Sequence, residues 1–391
     1  MPDITLEEPH ATIRTDLEAE NRILRARLET LGFLSAPDGV PPPHTANHAP
    51  GHQSQIEHGF EFNSSRDSLF SHSSKIFDKV LHVFNAEYYG IRAAAGNLPG
   101  GKLAVSAQKK LTPRDFSEIV EQIALLGYEK FVLHGYSRAM NDVAIRIHRA
   151  FGSEIYGVWH GNFAQLVYHG EREAFEQWRR LLSNGVITKA HILKQHASDF
   201  LECGFTPLLL NLPPQWKGVR ISPAFSQKET VTAFLPGWID VRKNWHANML
   251  AAERSDVVKQ LFYYADTVPV FDRTGKAKQI NFDPVTHMDV MSSVDLVLNA
   301  TLIDCHPMVD LEALACRTPA ITSKLFLGEL LDAHAYSKLT SIENVLDTKE
   351  ISDRIKFISG IDEGEILEMM SDYADALIRM SFSRYEDFLD L

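Results

Sequence analysis

The chain has 391 residues, 45% hydrophobic and 23% charged, which supplies enough apolar material for two cores and additional segments. Its formal charge of -12, from 39 basic and 51 acidic residues, excludes a general binder of nucleic acid or membrane surface, because phosphate backbones reward clustered Lys and Arg. The cysteines Cys203, Cys305 and Cys316 make no zinc-like pair and no disulfide framework, so each reads as a packing residue in a reducing compartment.

No apolar run approaches the roughly 20 residues of a membrane span, and the amino terminus is acidic rather than a basic flank before an apolar stretch. The expected location is cytoplasmic, including a position peripheral to the inner face of the membrane. There the sequons at Asn63 and Asn299 have no glycosylation machinery to meet.

Residues 1–75 read as an extension. Leu17, Asn21, Leu24, Leu28 and Leu31 alternate steps of four and three, the seam of a short coiled coil over about 12–32 that could join copies of the chain. A lone amphipathic helix fits the same spacing. The Pro, Gly and His-rich stretch over about 35–60 buries too little to order itself and reads as a linker. Its His44, His48 and His52 lack acidic or thiol partners, and no metal is expected.

From about Lys75 strands and helices alternate. "KVLHVF", "KFVLHGY", "EIYGVWHG", "GVITKAHIL" and "PLLLNL" read as strands, separated by helices such as "PRDFSEIVEQIALLG" and "RAMNDVAIRIHRAFG". A second round follows from Thr230: "TVTAFLPGW", a helix through "WHANMLAAERS", "VVKQLFYYA", "TVPVFD", "VDLVLNA", the helix "MVDLEALACR" and "PAITS". This order means α/β architecture, two doubly wound Rossmann-like domains facing a cleft: 76–220, then 221–370, with a helix over 371–391 crossing back to the first. Ligands of such sheets lie beyond the carboxyl ends of the strands.

"GNLPGGKL", Gly96 to Leu103, fits P-loop spacing through Lys102, but Leu103 replaces the Ser or Thr that would hold magnesium and no long helix follows.

In "DLVLNATLIDCHPMVDLEALACRTPAITS", Asp304 follows a strand and Glu312 rises from the next helix, which Pro307 suits as a start. Free N-H groups at that start attract anions, and carboxylates accept from sugar hydroxyls. By themselves the pair also reads as a cap and a solvated charge.

The segment resembles the carboxyl-terminal domain of retaining GT-B glycosyltransferases, particularly glycosyltransferase family four: an acidic residue (Asp304), seven residues ("CHPMVDL"), Glu312, Ala313, then a "GTPV"-like turn in "ACRTPAIT". "FLPGWIDVRKNWHANMLAA" resembles the family's diphosphate grip, with Gly237 at the strand end and Arg242, Lys243 and Asn244 entering a helix. "EIYGVWHGNFAQ" resembles the strand ending in His on the acceptor side. The likeness is clear over about 231–323, partial over 127–214 and absent over 1–75.

The resemblance implies a nucleotide-sugar donor as substrate, with no cofactor and no metal. It gives catalytic roles to Arg242 and Lys243 on the diphosphate, Asp304 on donor hydroxyls, and His160 on donor or acceptor. It implies that Glu312 holds the ribose, and places Gly237, Thr301, His306, Met308 and Val309 against the nucleotide. His191, Lys194 and Ser198 are cleft candidates by position, and the Gly96–Leu103 loop becomes a place of close approach between donor and acceptor. Without the resemblance, Arg242 and Lys243 are an exposed basic pair and His160 a core or capping histidine.

Departures are evident. Cys305, His306 and Pro307 replace glycines, Asp304 is shorter than the usual Glu, Trp238 stands for the family's Arg, and Arg317 for the Gly of the turn. Transfer with retention to a glycan, lipid-linked sugar or protein is therefore set beside two alternatives: a scaffold that has lost catalysis, and a sugar-nucleotide epimerase.

Overall fold

The computed structural model describes residues 59–63, 74–216, 218–220, 230–237, 239–264, 272, 274–283 and 286–391. The expected coiled-coil seam, Trp238, almost all of "TVPVFD" and the linker histidines lie outside them.

The first lobe is a sheet in the order β1 (Phe60–Asn63), β3 (Gly101–Val105), β2 (Val80–Asn85), β4 (Lys130–His134), β5 (Ile155–Trp159), β6 (Lys189–Ile192). All pairs are parallel except β1 with β3. Residues 60–63, expected in the extension, form this antiparallel edge because Phe60 and Phe62 fall on the one face that packs against the core.

Strand side chains alternate between faces. Leu81, Val83, Phe131 and Leu133 enter one core, and Val80, Val132, Tyr156 and Val158 the other. Both faces are buried, as continuous apolar runs require of a parallel sheet. The helices are α1 (Ser74–Phe77), α2 (Tyr89–Gly96), α3 (Pro113–Leu126), α4 (Arg138–Phe151) and α5 (His169–Ser183). Thr112 and Asp115 form a capping box at the start of α3, and Gly127 ends it at φ 71.

The second lobe orders its strands β12 (Ser341–Ile342), β11 (Ala320–Ser323), β10 (Leu296–Asn299), β7 (Val231–Leu235), β8 (Val258–Tyr263), β9 (Ala277–Gln279), all parallel. Its helices are α6 (Trp245–Arg254), α7 (His287–Ser293), α8 (Met308–Ala315), α9 (Glu329–Asp332), α10 (Ala335–Thr340) and α11 (Thr348–Ser359). Ala233 and Leu235 face one core while Phe234 faces the other. Both sheets are thus doubly wound, and the second reverses direction between β7 and β10.

Helix α12 (Glu363–Leu389) begins among second-lobe residues, with Ile366, Met370 and Leu377. It ends with Phe382, Tyr385 and Phe388 packed beside Phe77 and Tyr156 of the first lobe. Among the described residues, no helix is long and apolar enough to cross a membrane.

Two expectations are corrected. "PLLLNL" is not a strand: its leucines 208 to 210 are buried, but the segment runs between the lobes without a ladder. The Gly96–Leu103 loop lies at the amino end of the first sheet, since Gly101 opens β3 opposite Leu81 at the start of β2. That is the end of the sheet opposite the carboxyl edge where ligands of such sheets lie. Its glycines answer local geometry: Gly100 holds φ +107, and a side chain at Gly101 would strike the Tyr128 ring. Lys102 Nζ donates to the carbonyls of Leu98 and Gly100 at 2.7 and 2.6 Å.

Candidate functional site

The direction change of the second sheet is built by two asparagines. Asn248 accepts from Ala300 N at 3.1 Å and donates to Ala300 O at 3.0 Å, fixing the chain just past β10 to helix α6. Asn244, at φ 50, also donates to Ala300 O, at 3.0 Å. Asn tolerates this left-handed conformation better than other side chains do, and its amide is used at once. Before it, Asp240 caps the short turn Val241–Lys243 by accepting from Arg242 N at 2.7 Å. Leu302 N donates to Arg242 O at 2.9 Å, so the turn and the β10 loop form one unit.

That unit brings Lys243 to Asp304, Nζ to Oδ2 at 2.8 Å. Asp304 Oδ1 accepts from Cys305 N at 2.9 Å. From the first lobe, Lys194 Nζ donates to Asp304 O at 3.0 Å. Burial first, and then the Asp304 charge, push the Cys305 thiol up to about 12, so it stays protonated and packs.

Arg242 turns back on Asp240: Nε lies 3.1 Å from Oδ1, and a second nitrogen 2.8 Å from Oδ2. Its guanidinium also rests 5.9 Å from the Tyr168 ring centroid of the first lobe. The Arg242 hydrogen bonds, more than the charge alone, hold the Asp240 carboxyl below its ordinary range.

Glu312 is neither a solvated charge nor an open ribose holder; only 4% of it is exposed. His287 Nε2 meets its Oε2 at 3.1 Å, and His287 Nδ1 meets Tyr264 Oη at 2.8 Å. With Nε2 donating to the carboxylate, Nδ1 accepts from the phenol. Tyr89, at the start of first-lobe helix α2, hydrogen-bonds the same carboxylate. Burial and then the Glu312 charge push the Tyr89 phenol well above its ordinary value, so it remains a donor. The Tyr89 and Phe282 rings meet edge to face, centroids 5.8 Å apart, closing the lobes over this cluster.

Other expected residues divide. Gly237 lies against the Lys243 stem, where an added Cβ would sit 3.5 Å from Lys243 Cβ. Thr301 is fully buried with its hydroxyl 3.1 Å from that of Ser323, so it offers the cleft no side-chain group. The His306 ring accepts from Asn211 N at 3.0 Å and pins the linker between lobes instead of facing a nucleotide. Met308 and Val309 pack inward, and Pro307 caps α8 without a side chain; of the first-turn N-H groups, that of Asp310 is already taken by Pro307 O at 3.2 Å.

His191 donates to Phe205 O at 2.8 Å and accepts from Leu209 N at 3.2 Å, and Ser198 accepts from Ile192 N at 2.9 Å. Both are internal ties, not cleft ligands. His160 follows β5 and touches His134 at 2.9 Å. Arg317 holds φ 57, which explains the glycine usual in such a turn.

Sequence reasoning missed Tyr89, His287, Asp240 and Asp310. Asp240 stands two residues before Arg242, the spacing of a capped turn, and so carried a signal. Asp310 receives Asn299 Nδ2 at 2.7 Å and Thr322 Oγ1 at 2.6 Å, yet burial raises it to about 7. Among the described residues, no cluster suits a metal ion.

No family model and no curated protein matches the chain. Among solved structures it is similar to the apo form of OtsA, at 14% identity and TM-score 0.47 over 79% of this chain and 97% of that one. It is also similar to an alpha,alpha-trehalose-phosphate synthase (UDP-forming) from Burkholderia xenovorans in complex with glucose-6-phosphate. That match has 11% identity and TM-score 0.49 over 80% of this chain and 99% of that one. A third is a S. aureus TarM variant in complex with Fondaparinux, alpha-GlcNAc-glycerol and UDP, at 11% identity and TM-score 0.48, over 74% of this chain and 62% of that one. Likenesses this distant carry no functional argument.

Proposed function

We propose that the protein is a metal-independent retaining glycosyltransferase that moves a sugar from a nucleotide-sugar donor to a glycan, lipid-linked or protein acceptor. The observation that carries this reading is the Lys243–Asp304 pair at the direction change of the second sheet, facing the first lobe. As the sugar–phosphate bond breaks, negative charge gathers on the departing diphosphate. The Lys243 ammonium and the start of α8, where no side chain caps the Met308 and Val309 N-H groups, meet it. Asp304 accepts from donor hydroxyls, and His160 contacts the sugar from the other lobe. The acceptor oxygen attacks on the leaving-group face while its proton passes to the departing phosphate, so no protein base is required.

Incubation with a panel of nucleotide sugars and candidate acceptors, followed by product detection and assignment of the anomeric centre, tests this. A new glycoside with the donor's configuration supports the proposal, and an inverted product refutes retention.

One observation favours a second reading, a scaffold without catalysis: Glu312 and Arg242 already have partners inside the protein. Calorimetry decides, because a scaffold binds no nucleotide sugar and a resting enzyme exchanges Tyr89 for the ribose.

A further inference from the structure

Three imidazoles cross the first sheet in a line. His82 Nε2 lies 2.8 Å from Pro99 O, His82 Nδ1 lies 2.9 Å from His134 Nε2, and His134 Nδ1 lies 2.9 Å from His160 Nε2. Ring centroids are 5.1 and 5.2 Å apart, and His82 and His134 are fully buried.

The chemistry of the first contact settles the others. A carbonyl oxygen only accepts, so His82 Nε2 carries the proton. A neutral imidazole has one N-H, so His82 Nδ1 is a lone pair and His134 Nε2 must donate to it. The same step passes along: His134 Nδ1 is a lone pair, and His160 Nε2 donates. His160 Nδ1 is then a bare acceptor. Burial lowers His82 and His134 well below the ordinary histidine value and His160 to about 3, which keeps the line neutral.

His160 stands at the carboxyl edge of the first sheet, which faces the second lobe. The loop it opens leads to Tyr168, under the Arg242 guanidinium, and the neighbouring strand end carries Lys194 to Asp304. Among the described residues Nδ1 has no partner, yet it is absent from the buried unpaired atoms, so it reaches solvent.

We propose that His82 and His134 are positioning residues that lock His160 into the Nε2-H tautomer, so that it offers the cleft a lone pair and selects a ligand group able to donate a hydrogen bond. A free sugar hydroxyl satisfies this site, whereas a fluorine, ether or carboxylate at the same place does not. The ligand class rests on the glycosyl-transfer reading, and the tautomer assignment does not.

Long-range nitrogen–proton NMR of the full chain, labelled in its histidine rings, tests the lock at pH 7 without ligand. The expected result is a protonated Nε2 and an unprotonated Nδ1 on all three rings. A His160 carrying its proton on Nδ1, or a charged ring, overturns the proposal. His82→Leu removes the first link and should turn His160 into a mixture of tautomers, while His82→Asn, which keeps an acceptor near the former Nδ1, should preserve the single form. An unmixed His160 in a folded His82→Leu protein also overturns it, and the wild-type spectrum decides if that variant does not fold. Failure of UDP-glucose and related nucleotide sugars to bind would remove the transfer reading, while the ligand-free spectrum judges the lock independently.

Discussion

Lys243 Nζ and Asp304 Oδ2, 61 residues apart in the chain, meet at 2.8 Å where the second sheet reverses direction. Each keeps about a fifth to a quarter of its side chain exposed, 27% and 18%, so the pair is modest in stability and available to a ligand. Lys243→Met should cost about 1 kcal/mol of stability or less. It should lower the transfer rate by about 100-fold, the scale of losing one preorganised donor to a developing charge. Thermal melting and steady-state rates measure the two effects separately.

Tyr89 and His287 hold the Glu312 carboxylate, the group proposed to take the ribose. Tyr89→Phe removes one competitor, at roughly 1 kcal/mol of stability for the lost hydrogen bond. Nucleotide binding by calorimetry should tighten several-fold; weaker binding would mean that the phenol belongs to the ligand site. Glu312→Ala, by contrast, strands the buried His287 and Tyr89 donors and should destabilise by roughly 1–3 kcal/mol.

Buried neutral histidines give the protein an acid limit. His160 is lowered to about 3, His191 and His306 to about 4, and His82 and His134 are also held well below the ordinary value. The unfolded chain binds these protons near pH 6.5 and the folded chain does not, so their contribution is intact above 6.5 and is lost as pH falls. Denaturant melts should show stability dropping between pH 6.5 and 4, by up to about 1.4 kcal/mol per pH unit for each histidine.

Asp310 works in the opposite direction. Its folded value, about 7, lies above the unfolded one of 3.8, so folding holds an extra proton between those limits and stability from this group falls as pH rises through them. Asp310→Asn should match the wild type at pH 4 and gain on it up to pH 7, then keep a constant lead. Melting temperatures of the two proteins across that range check this.

Much of the fold was legible because parallel strands announce themselves. "VTAFL" and "LVLN" are apolar but for Thr232 and Asn299 since both faces are covered, and α8 carries its own start signal in Pro307. "PLLLNL" has the same composition but no ladder, because burial between lobes demands apolar side chains just as a strand does. Lys243 and Asp304 are singled out by the family resemblance of their segments, not by spacing alone. Tyr89 with Glu312, and the three aligned histidines, could not be found in the sequence, since lobe closure and strand order alone bring those residues together.

The most direct measurement is calorimetric titration of the full chain and of Lys243→Met with a panel of nucleotide diphosphate sugars. At least one should bind the wild type and bind the variant about 10-fold or more weakly, the loss of one charged hydrogen bond. Absence of binding by every member, or equal affinity in the two proteins, would contradict the proposed function.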